Sequence, residues 1–193
     1  PLGNISDVQL GVPVAINIEN GIAAMALAQL SGVSNEEIKT GMASFRGVDR
    51  RFDFKIKTDK VVYLSDYAHH PEEIKQSILS MRALYGDKKL TGIFQPHLYT
   101  RTRDFYQEFA ESLSLLDEVI LTDIYPAREL PIEGVSSQLI YDNLRPDIDK
   151  ILCTKEEVID ILKKKEIEVL MTLGAGDIEN YAPQICEILN ERC

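Results

Sequence analysis

The 193-residue chain carries a formal net charge of -10, is 45% apolar, and has no run of Lys or Arg longer than three residues. This length and apolar fraction are typical of one folded domain with part of a second, and the acidic balance argues against a nucleic-acid partner, whose phosphates require a basic surface. No apolar stretch approaches the ~20 residues of a membrane span, so we expect no membrane partner either.

Two helices are predicted in the first 45 residues. An Ala-rich stretch over 18–29 forms the first helix, which stops near Gly32. Ser34 followed by Glu37 is a capping box, so the second helix begins at Asn35. Two helices bury little core by themselves, and we expect them to pack on a partner layer.

From Phe52 onward the pattern changes to strands alternating with helices. Apolar and charged residues alternate over 52–57, and a turn leads into the apolar run 61–64, which together predict a β-hairpin. The elements predicted after it are helix 71–86, strand 90–94, helix 104–115, strand 118–122, helix 136–144, strand 150–153, helix 155–164, strand 169–173 and helix 177–190. This order predicts an α/β fold: a doubly wound, mostly parallel, Rossmann-like sheet with one antiparallel first strand, preceded by two helices.

Two polar clusters follow strands of this sheet, at 66–71 and 95–101, and they contain all three histidines of the chain. Open α/β sheets bind ligands at the carboxyl ends of their strands, where Asp66, Gln95, Asp123 and Gly174 are expected to lie along one rim. The residues alone therefore predict a binding site for an anionic ligand.

Five motifs in order give the chain a resemblance to a known family. They are Gly47-Val48-Asp49-Arg50-Arg51-Phe52, Asp66-Tyr67-Ala68-His69-His70-Pro71, Gln95-Pro96-His97-Leu98-Tyr99-Thr100-Arg101-Thr102-Arg103, Asp123-Ile124-Tyr125-Pro126-Ala127 with Pro131-Ile132, and Leu173-Gly174-Ala175-Gly176-Asp177-Ile178. With these motifs the chain resembles the Mur ligases of peptidoglycan synthesis. The resemblance implies that residues 1–46 are the truncated end of a central ATP-binding domain and that 47–193 are a complete C-terminal domain.

The resemblance also implies an activity and its partners. The intact enzyme would join L-alanine to the lactyl carboxylate of UDP-N-acetylmuramate, using ATP and Mg²⁺ through an acyl phosphate, in a bacterial cytoplasm. The missing N-terminal and central domains of the same chain would hold most of the ATP and magnesium contacts. The C-terminal domain would then act as a lid that excludes water from the hydrolysable intermediate.

Four residues match nucleotide-binding positions of the family. Asn17 and Asn20 match a pair near the adenine ring, where an amide supplies both donor and acceptor; the family's preceding His is Ile16 here. Arg51 matches an arginine that reaches the phosphates, which its planar fork suits. Asp66 matches an acidic residue near the ribose, whose two hydroxyls can donate to one carboxylate.

Four more match positions that face the amino acid and the muramoyl group: Tyr67, His69, His97 and Arg101. The amine of L-alanine must attack as a free base while its carboxylate is held still, which favours a cation with neutral donors around it. By the resemblance, Arg101 is the cation for that carboxylate.

Many relatives carry a second arginine after the matched histidine, where this chain has Leu98. Two interpretations follow. Either Arg103 or Arg50 substitutes for it, or the carboxylate has fewer charged contacts in this protein.

Competing interpretations apply to the same residues. His69, His70 and His97 could form a metal site, although adjacent histidines seldom face one ion, so we expect no metal in this chain. His70 could orient the helix that begins after it or bind ligand. Gly174 to Gly176 are expected to form a tight strand-to-helix turn, since the motif is incomplete as a dinucleotide fingerprint. Arg101 and Arg103, taken alone, could be solvated surface charges.

The chain lacks a phosphate-binding G-x-x-x-x-G-K-[ST] loop, so this polypeptide alone is expected to be inactive. Two alternatives remain at this point: a ligase that attaches a whole tripeptide to UDP-N-acetylmuramate, and a non-catalytic nucleotide-binding module. The three cysteines, without C-x-x-C spacing, are expected to be free thiols.

Overall fold

A computed structural model describes residues 3–12 and 14–192, with Ala15 and Ile16 described by their backbone alone. Residues cluster into two compact units, 1–48 and 49–193. Within the part of the chain that the structure describes, no helix is long and apolar enough to cross a membrane.

The first unit contains two helices, α1 (Ala15–Leu30) and α2 (Asn35–Ser44). The predicted capping box is confirmed: the Glu37 carboxylate accepts the Ser34 N–H at 3.0 Å, and the Ser34 hydroxyl accepts the Glu37 N–H at 3.4 Å. Gly32, directly after α1, has a φ of +82°, a conformation that stops a helix and suits glycine. Four large apolar side chains of α1 are exposed: Ile18, Ile22, Leu27 and Leu30.

The second unit is a six-stranded sheet with helices on both faces. The strands are β1 (Asp53–Lys57), β2 (Val62–Asp66), β3 (Leu90–Phe94), β4 (Glu118–Leu121), β5 (Asp149–Leu152) and β6 (Val169–Leu173), and the remaining helices are α3 (Pro71–Tyr85), α4 (Tyr99–Leu113), α5 (Gln138–Asn143), α6 (Val158–Lys163) and α7 (Ala182–Asn190). The strand order is β1-β2-β6-β3-β4-β5, with β1 antiparallel and the others parallel. The predicted fold class is confirmed.

Strand burial explains why these segments form this sheet. β3 and β6 lie at its centre and are buried at every residue, as expected for parallel strands covered on both faces. On one face, Tyr63, Ile93, Ile120 and Leu170 pack in a core cluster with residues of α6 and α7. The helices α3, α4 and α5 contact one another in sequence along the other face.

Several helix boundaries differ from the predictions. Helix α4 begins at Tyr99 rather than at residue 104, and has a non-helical Phe105 inside it (φ -129°, ψ 17°). The segments predicted as helices from 155 and from 177 each begin as 3₁₀ turns, at Lys155–Glu157 and Ile178–Tyr181. Pro183 lies near the start of α7, where its missing N–H costs no helical hydrogen bond, so the α-helix proper begins only there.

The hairpin differs in one detail. A β-bulge between Phe54 and Ile56 shifts the register, so the strict alternation of the prediction is interrupted.

Two cysteines, Cys153 and Cys186, are free and half-buried, and burial raises the pKa of the Cys153 thiol to about 11. Cys193 lies outside the described residues.

Candidate functional site

The carboxyl edge of the sheet gathers the sequence motifs. Because β6 lies between β2 and β3, the turn at 174–177 is flanked by the loop 67–70 on one side and by residues 95–98 on the other. The loop after β4 joins this edge through a short parallel bridge between His97 and Tyr125. The predicted rim is therefore one continuous surface built from four loops.

Backbone strain is concentrated at this edge. Five described residues other than glycine have a positive φ, and four of them lie on these loops or at the adjoining start of β1: Arg50, Phe52, Leu98 and Ala127. Such conformations cost of order 1–3 kcal/mol each and cluster at functional sites. The strain marks this edge as the candidate site independently of the motifs.

Four rings form a row across the edge. The ring centroids of Tyr67 and His69 are 5.2 Å apart, those of His69 and His97 are 6.0 Å apart, and those of His97 and Tyr125 are 5.7 Å apart. The first two pairs meet edge to face, and the last is stacked at 17°. The row links three loops, and three of its members were predicted to bind substrate.

Two arginines lie beside this row, Arg50 next to Tyr67 and Arg101 next to His97. The Arg50 guanidinium sits 4.9 Å over the Tyr67 ring and donates to the Gly176 carbonyl at 3.3 Å. The Arg101 guanidinium lies 3.4 Å from Nδ1 of His97. Two fixed cations beside polar rings make an edge suited to carboxylates and phosphates, although the chain as a whole is acidic.

His97 is held in its neutral form. Burial lowers the pKa of His97, and the neighbouring charges of Arg101 and His69 lower it further. A neutral imidazole can donate from one nitrogen and accept at the other. The edge therefore offers a neutral ring next to the Arg101 cation, which is the combination predicted for holding an amino acid.

The helix that carries Arg101 begins where no local pattern of residues indicates a helix start. Leu98 occupies the N-cap position with a φ of +74° and no capping oxygen. Glu129, from the loop after β4, accepts the Thr100 N–H at 2.9 Å and the Thr100 hydroxyl at 2.5 Å in its place. Glu129 was missed because no local pattern connects residues 29 positions apart.

The Gly174 to Gly176 segment is the tight turn predicted. Gly174 has a φ of +138°, and a β-carbon there would lie 2.6 Å from the Gln95 carbonyl oxygen. The buried Gln95 side chain donates to Asp177 at 2.7 Å and accepts the Ile178 N–H at 3.0 Å. Only glycine permits this approach, so the turn packs directly on the loop after β3.

Asp66 ends β2 with its carboxyl group turned into the following loop. Its Oδ1 accepts the Ala68 N–H at 3.3 Å. Burial raises the pKa of Asp66, while the Ser77 hydroxyl and the N–H groups of Phe52 and Ala68 oppose that rise. This carboxyl group therefore organises the loop that carries Tyr67 and His69.

The remaining predicted nucleotide residues are not members of the ring row. Asn17 and Asn20 are on α1 in the first unit, where Asn17 donates to the Val12 carbonyl at 3.2 Å and Asn20 is exposed. Arg51 is exposed, between the strained Arg50 and Phe52. The side chain of Ile16, which replaces the family's histidine, lies outside what the structure describes.

His70 occupies the N-cap position of α3, as one of its two predicted roles requires. The Glu73 carboxylate accepts the N–H groups of His69 at 3.0 Å and His70 at 3.2 Å, and the His70 ring meets Phe105 at 5.2 Å. The two adjacent histidines thus face different neighbours. Across residues 3–12 and 14–192, no group of three His, Cys, Asp or Glu side chains is arranged to hold a metal ion.

Of the two arginines that could be surface charges, only one is. Arg103 is exposed and pairs with Asp104 at 2.7 Å. Arg101 is half-buried and faces His97. Arg50 is placed at the ring row, and Arg103 is not, so only Arg50 adds a second cation there.

Curated relatives match the chain over its whole length. It is 78% identical over 192 residues to a UDP-N-acetylmuramate-L-alanine ligase of Phocaeicola vulgatus and 52% identical over 194 residues to one of Porphyromonas gingivalis, covering 100% of this chain and 42% of each relative. The chain thus spans less than half the length of the curated relatives it matches.

Solved structures agree. The crystal structure of UDP-N-acetylmuramate-alanine ligase from Thermotoga maritima matches with a TM-score of 0.80 and 26% identity, over 96% of this chain and 40% of that one. A murein peptide ligase from Psychrobacter arcticus shares the fold, with a TM-score of 0.67 and 18% identity over 94% of this chain and 38% of its own. The family model described as Mur ligase, glutamate ligase domain, matches residues 50–178, and the chain belongs to the Mur ligase family.

Proposed function

We propose that this chain is part of an ATP-dependent ligase that joins L-alanine to UDP-N-acetylmuramate through an acyl phosphate, in the bacterial cytoplasm. The observation that carries the proposal is the row of Tyr67, His69 and His97 with Arg101 beside it, at the carboxyl edge of the sheet. The names of the 78% and 52% identical relatives favour this acceptor.

The geometry supports a role for each group in holding L-alanine. Arg101 supplies a permanent cation for the carboxylate, and the neutral His97 beside it adds a donor or acceptor without a second charge. Tyr67 and His69 continue the same surface toward the muramoyl side. A carboxylate fixed in this way leaves the free amine to attack the acyl phosphate, which raises its effective concentration.

Arg50 is proposed as the cation that compensates for Leu98. Its guanidinium lies over the Tyr67 ring, on the same edge as Arg101, whereas Arg103 is engaged with Asp104 in solvent. The second arginine of the edge thus comes from the strained turn before β1.

The nucleotide is proposed to bind to groups outside the ring row. Asn17 and Asn20 would contact adenine, Arg51 the phosphates and Asp66 the ribose. Residues 1–46 would belong to the central ATP-binding domain, whose remainder would cover the exposed apolar residues of α1 and hold Mg²⁺. The chain alone is therefore expected to form no product.

Acceptor choice in the full-length enzyme tests the proposal. With UDP-N-acetylmuramate, ATP and Mg²⁺, L-alanine should yield product at a much higher kcat/KM than the tripeptide acceptor. Arg101→Ala should raise the KM for L-alanine about tenfold to a hundredfold, since a hydrogen bond to a charged group contributes about 1.5–3 kcal/mol. Arg103→Ala is the matched control and should leave KM unchanged.

The other outcomes are informative. Preference for the tripeptide would assign the chain to the murein-recycling ligase instead. Full activity after loss of Arg51, Asp66 and Arg101 together would favour a non-catalytic nucleotide-binding module. Product formed by the 193-residue chain alone would contradict the division of the site between domains.

A further inference from the structure

The first turn of α4 lacks the usual means of satisfying its backbone. The first N–H groups of a helix have no partner within the helix and are commonly capped by a Ser, Thr, Asp or Asn side chain. The N-cap here is Leu98, whose side chain has no oxygen to accept these N–H groups. The acceptor must come from elsewhere in the fold.

Glu129 provides the missing acceptor, and both of its carboxylate oxygens take part. One accepts the Thr100 N–H at 2.9 Å, and the other accepts the Thr100 hydroxyl at 2.5 Å. These hydrogen bonds lower the pKa of Glu129, so the group is a carboxylate at neutral pH. A negative charge at the positive end of the α4 dipole is also favourable.

The loop after β4 is built to deliver this carboxylate. Tyr125 donates its N–H to the Pro96 carbonyl at 2.8 Å and accepts the Leu98 N–H at 3.0 Å, so the loop first runs alongside the chain that leads into α4. A turn then closes with the Glu129 N–H donating to the Pro126 carbonyl at 2.9 Å, across the left-handed Ala127 (φ +51°). The turn brings Glu129 back over Thr100.

The residue after Thr100 is Arg101, whose guanidinium faces His97 at 3.4 Å. His97 precedes the start of α4, and Arg101 lies four positions later in its first turn. The distance between their side chains therefore depends on how that turn is anchored. Glu129 thus acts on the Arg101 and His97 pair through the backbone at Thr100. Its charge also raises the pKa of His97.

We propose that Glu129 is a positioning residue of the acceptor site: by capping α4 at Thr100 it sets the place of Arg101 against His97. The inference rests on the proposed function for its kinetic consequence, and on the hydrogen bonds alone for its structural one. It assigns a second role to the loop after β4, which also carries Tyr125 of the ring row.

Four variants of the full-length enzyme test this role. Glu129→Ala removes both acceptors, Glu129→Gln keeps a neutral acceptor, Thr100→Ala removes one donor, and the double variant Thr100→Ala/Glu129→Ala completes the cycle. Glu133→Ala is the control, because it removes an exposed carboxylate from the same loop.

The expected kinetic result is a split between the two substrates. Glu129→Ala should lower kcat/KM for L-alanine about tenfold, because misplacing a binding group by a fraction of an ångström weakens orientation, while the KM for ATP stays unchanged. Glu129→Gln should recover most of the loss, and Thr100→Ala should add little to Glu129→Ala. Both Glu129 variants should also lower the pKa of His97, because the Glu129 charge raises it.

Hydrogen exchange of residues 98–103 provides a readout that does not depend on turnover. Glu129→Ala should speed amide exchange there, whereas Glu133→Ala should not. If the wild-type enzyme failed to use L-alanine but exchange still rose in Glu129→Ala, the proposed function would fail and the capping role would stand.

Two results would overturn the inference. Unchanged exchange together with unchanged L-alanine kinetics in Glu129→Ala would remove the anchoring role. A Glu129→Gln variant as impaired as Glu129→Ala, with Thr100→Ala fully active, would show that the charge of Glu129 acts directly on the substrate.

Discussion

The His97 ring lies nearly parallel to the Tyr125 ring, with 17° between the planes and 5.7 Å between the centroids. The two residues follow different strands, β3 and β4, and a parallel backbone bridge joins them. The stack covers one face of the His97 ring, whose other aromatic neighbour is the His69 ring. Tyr125 therefore supports the ring row from the side opposite Tyr67.

Removing the Tyr125 ring should destabilise this edge. Tyr125→Ala is expected to lower the free energy of unfolding by about 0.5–1.5 kcal/mol beyond the loss of burial, the usual value of an aromatic pair. Tyr125→Phe keeps the ring and should stay close to the wild type. Urea unfolding of both variants measures the difference, and equal losses would mean that the hydroxyl, not the stack, stabilises the edge.

The pKa of His97 should depend on Arg101. Burial, Arg101 and His69 hold it below the ordinary value of 6.5, so removing the cation in Arg101→Gln should raise it toward that value. An NMR titration of the imidazole signals checks this, with Arg103→Gln as the control because Arg103 pairs with Asp104 in solvent. The same shift with both variants would argue against a specific contact.

A lowered histidine pKa has a defined effect on stability. Between the folded pKa and about 6.5 the unfolded chain binds more protons than the folded one, so the free energy of unfolding rises with pH across that window and His97 imposes its full penalty below it. His97→Gln should flatten this part of the pH profile.

The free energy of unfolding of Asp66→Asn should increase relative to that of the wild type as pH rises. Burial raises the pKa of Asp66 above the ordinary 3.8, so between 3.8 and the folded pKa the folded state binds more protons, and the wild-type free energy of unfolding falls as pH increases. The variant lacks this dependence. Unfolding titrations from about pH 3.5 to 7 measure the difference.

Asp104→Asn provides a control of opposite sign, because the hydrogen bond from Arg103 lowers the pKa of Asp104. Its difference from the wild type should favour the wild type as pH rises toward about 3.8 and stay constant above that pH, so this control is titrated from about pH 2. A slope of the same sign in both variants would contradict the assignment for Asp66.

Gly174→Ala should be strongly destabilising. Its φ of +138° strains any side chain, and the new β-carbon would lie 2.6 Å from the backbone oxygen of Gln95, which cannot move without displacing β3. We expect a loss above about 3 kcal/mol, larger than strain alone. Thermal or urea unfolding provides the measurement.

Gly134→Ala separates strain from collision. Gly134 also has a positive φ, +76°, but a β-carbon there meets nothing within 4 Å. Its cost should be about 1–2 kcal/mol, the penalty of the left-handed conformation. If the two variants lost the same stability, the close approach at Gln95 would not matter.

Much of the fold could be predicted from local sequence patterns. The apolar runs of β3 and β6, and the capping box of Ser34 and Glu37, are each contained within a few consecutive residues, so contiguous sequence carries their signal. The order of strands and helices then restricts the sheet to a mostly parallel arrangement, because right-handed crossovers exclude most alternatives. That was sufficient to place the motifs at one edge.

The start of α4 could not be read in the same way. Residues 99–103 are polar and follow Leu98, which no capping rule recognises, so the sequence favoured a loop. The helix forms because Glu129 caps it from 29 positions away. A pattern confined to neighbouring residues contains no information about such a contact.

By itself, the sequence determined the fold class, the edge where the polar motifs meet, and the family, since each depends on residue types at short spacing. Only the tertiary structure decided that Arg50 rather than Arg103 joins the ring row, that Tyr125 stacks on His97, and that Glu129 anchors the helix of Arg101. Each of these contacts joins separate loops. The geometry of a loop depends on the packing of the whole sheet, and several loop conformations are equivalent locally. A strained turn or a remote carboxylate then selects one of them.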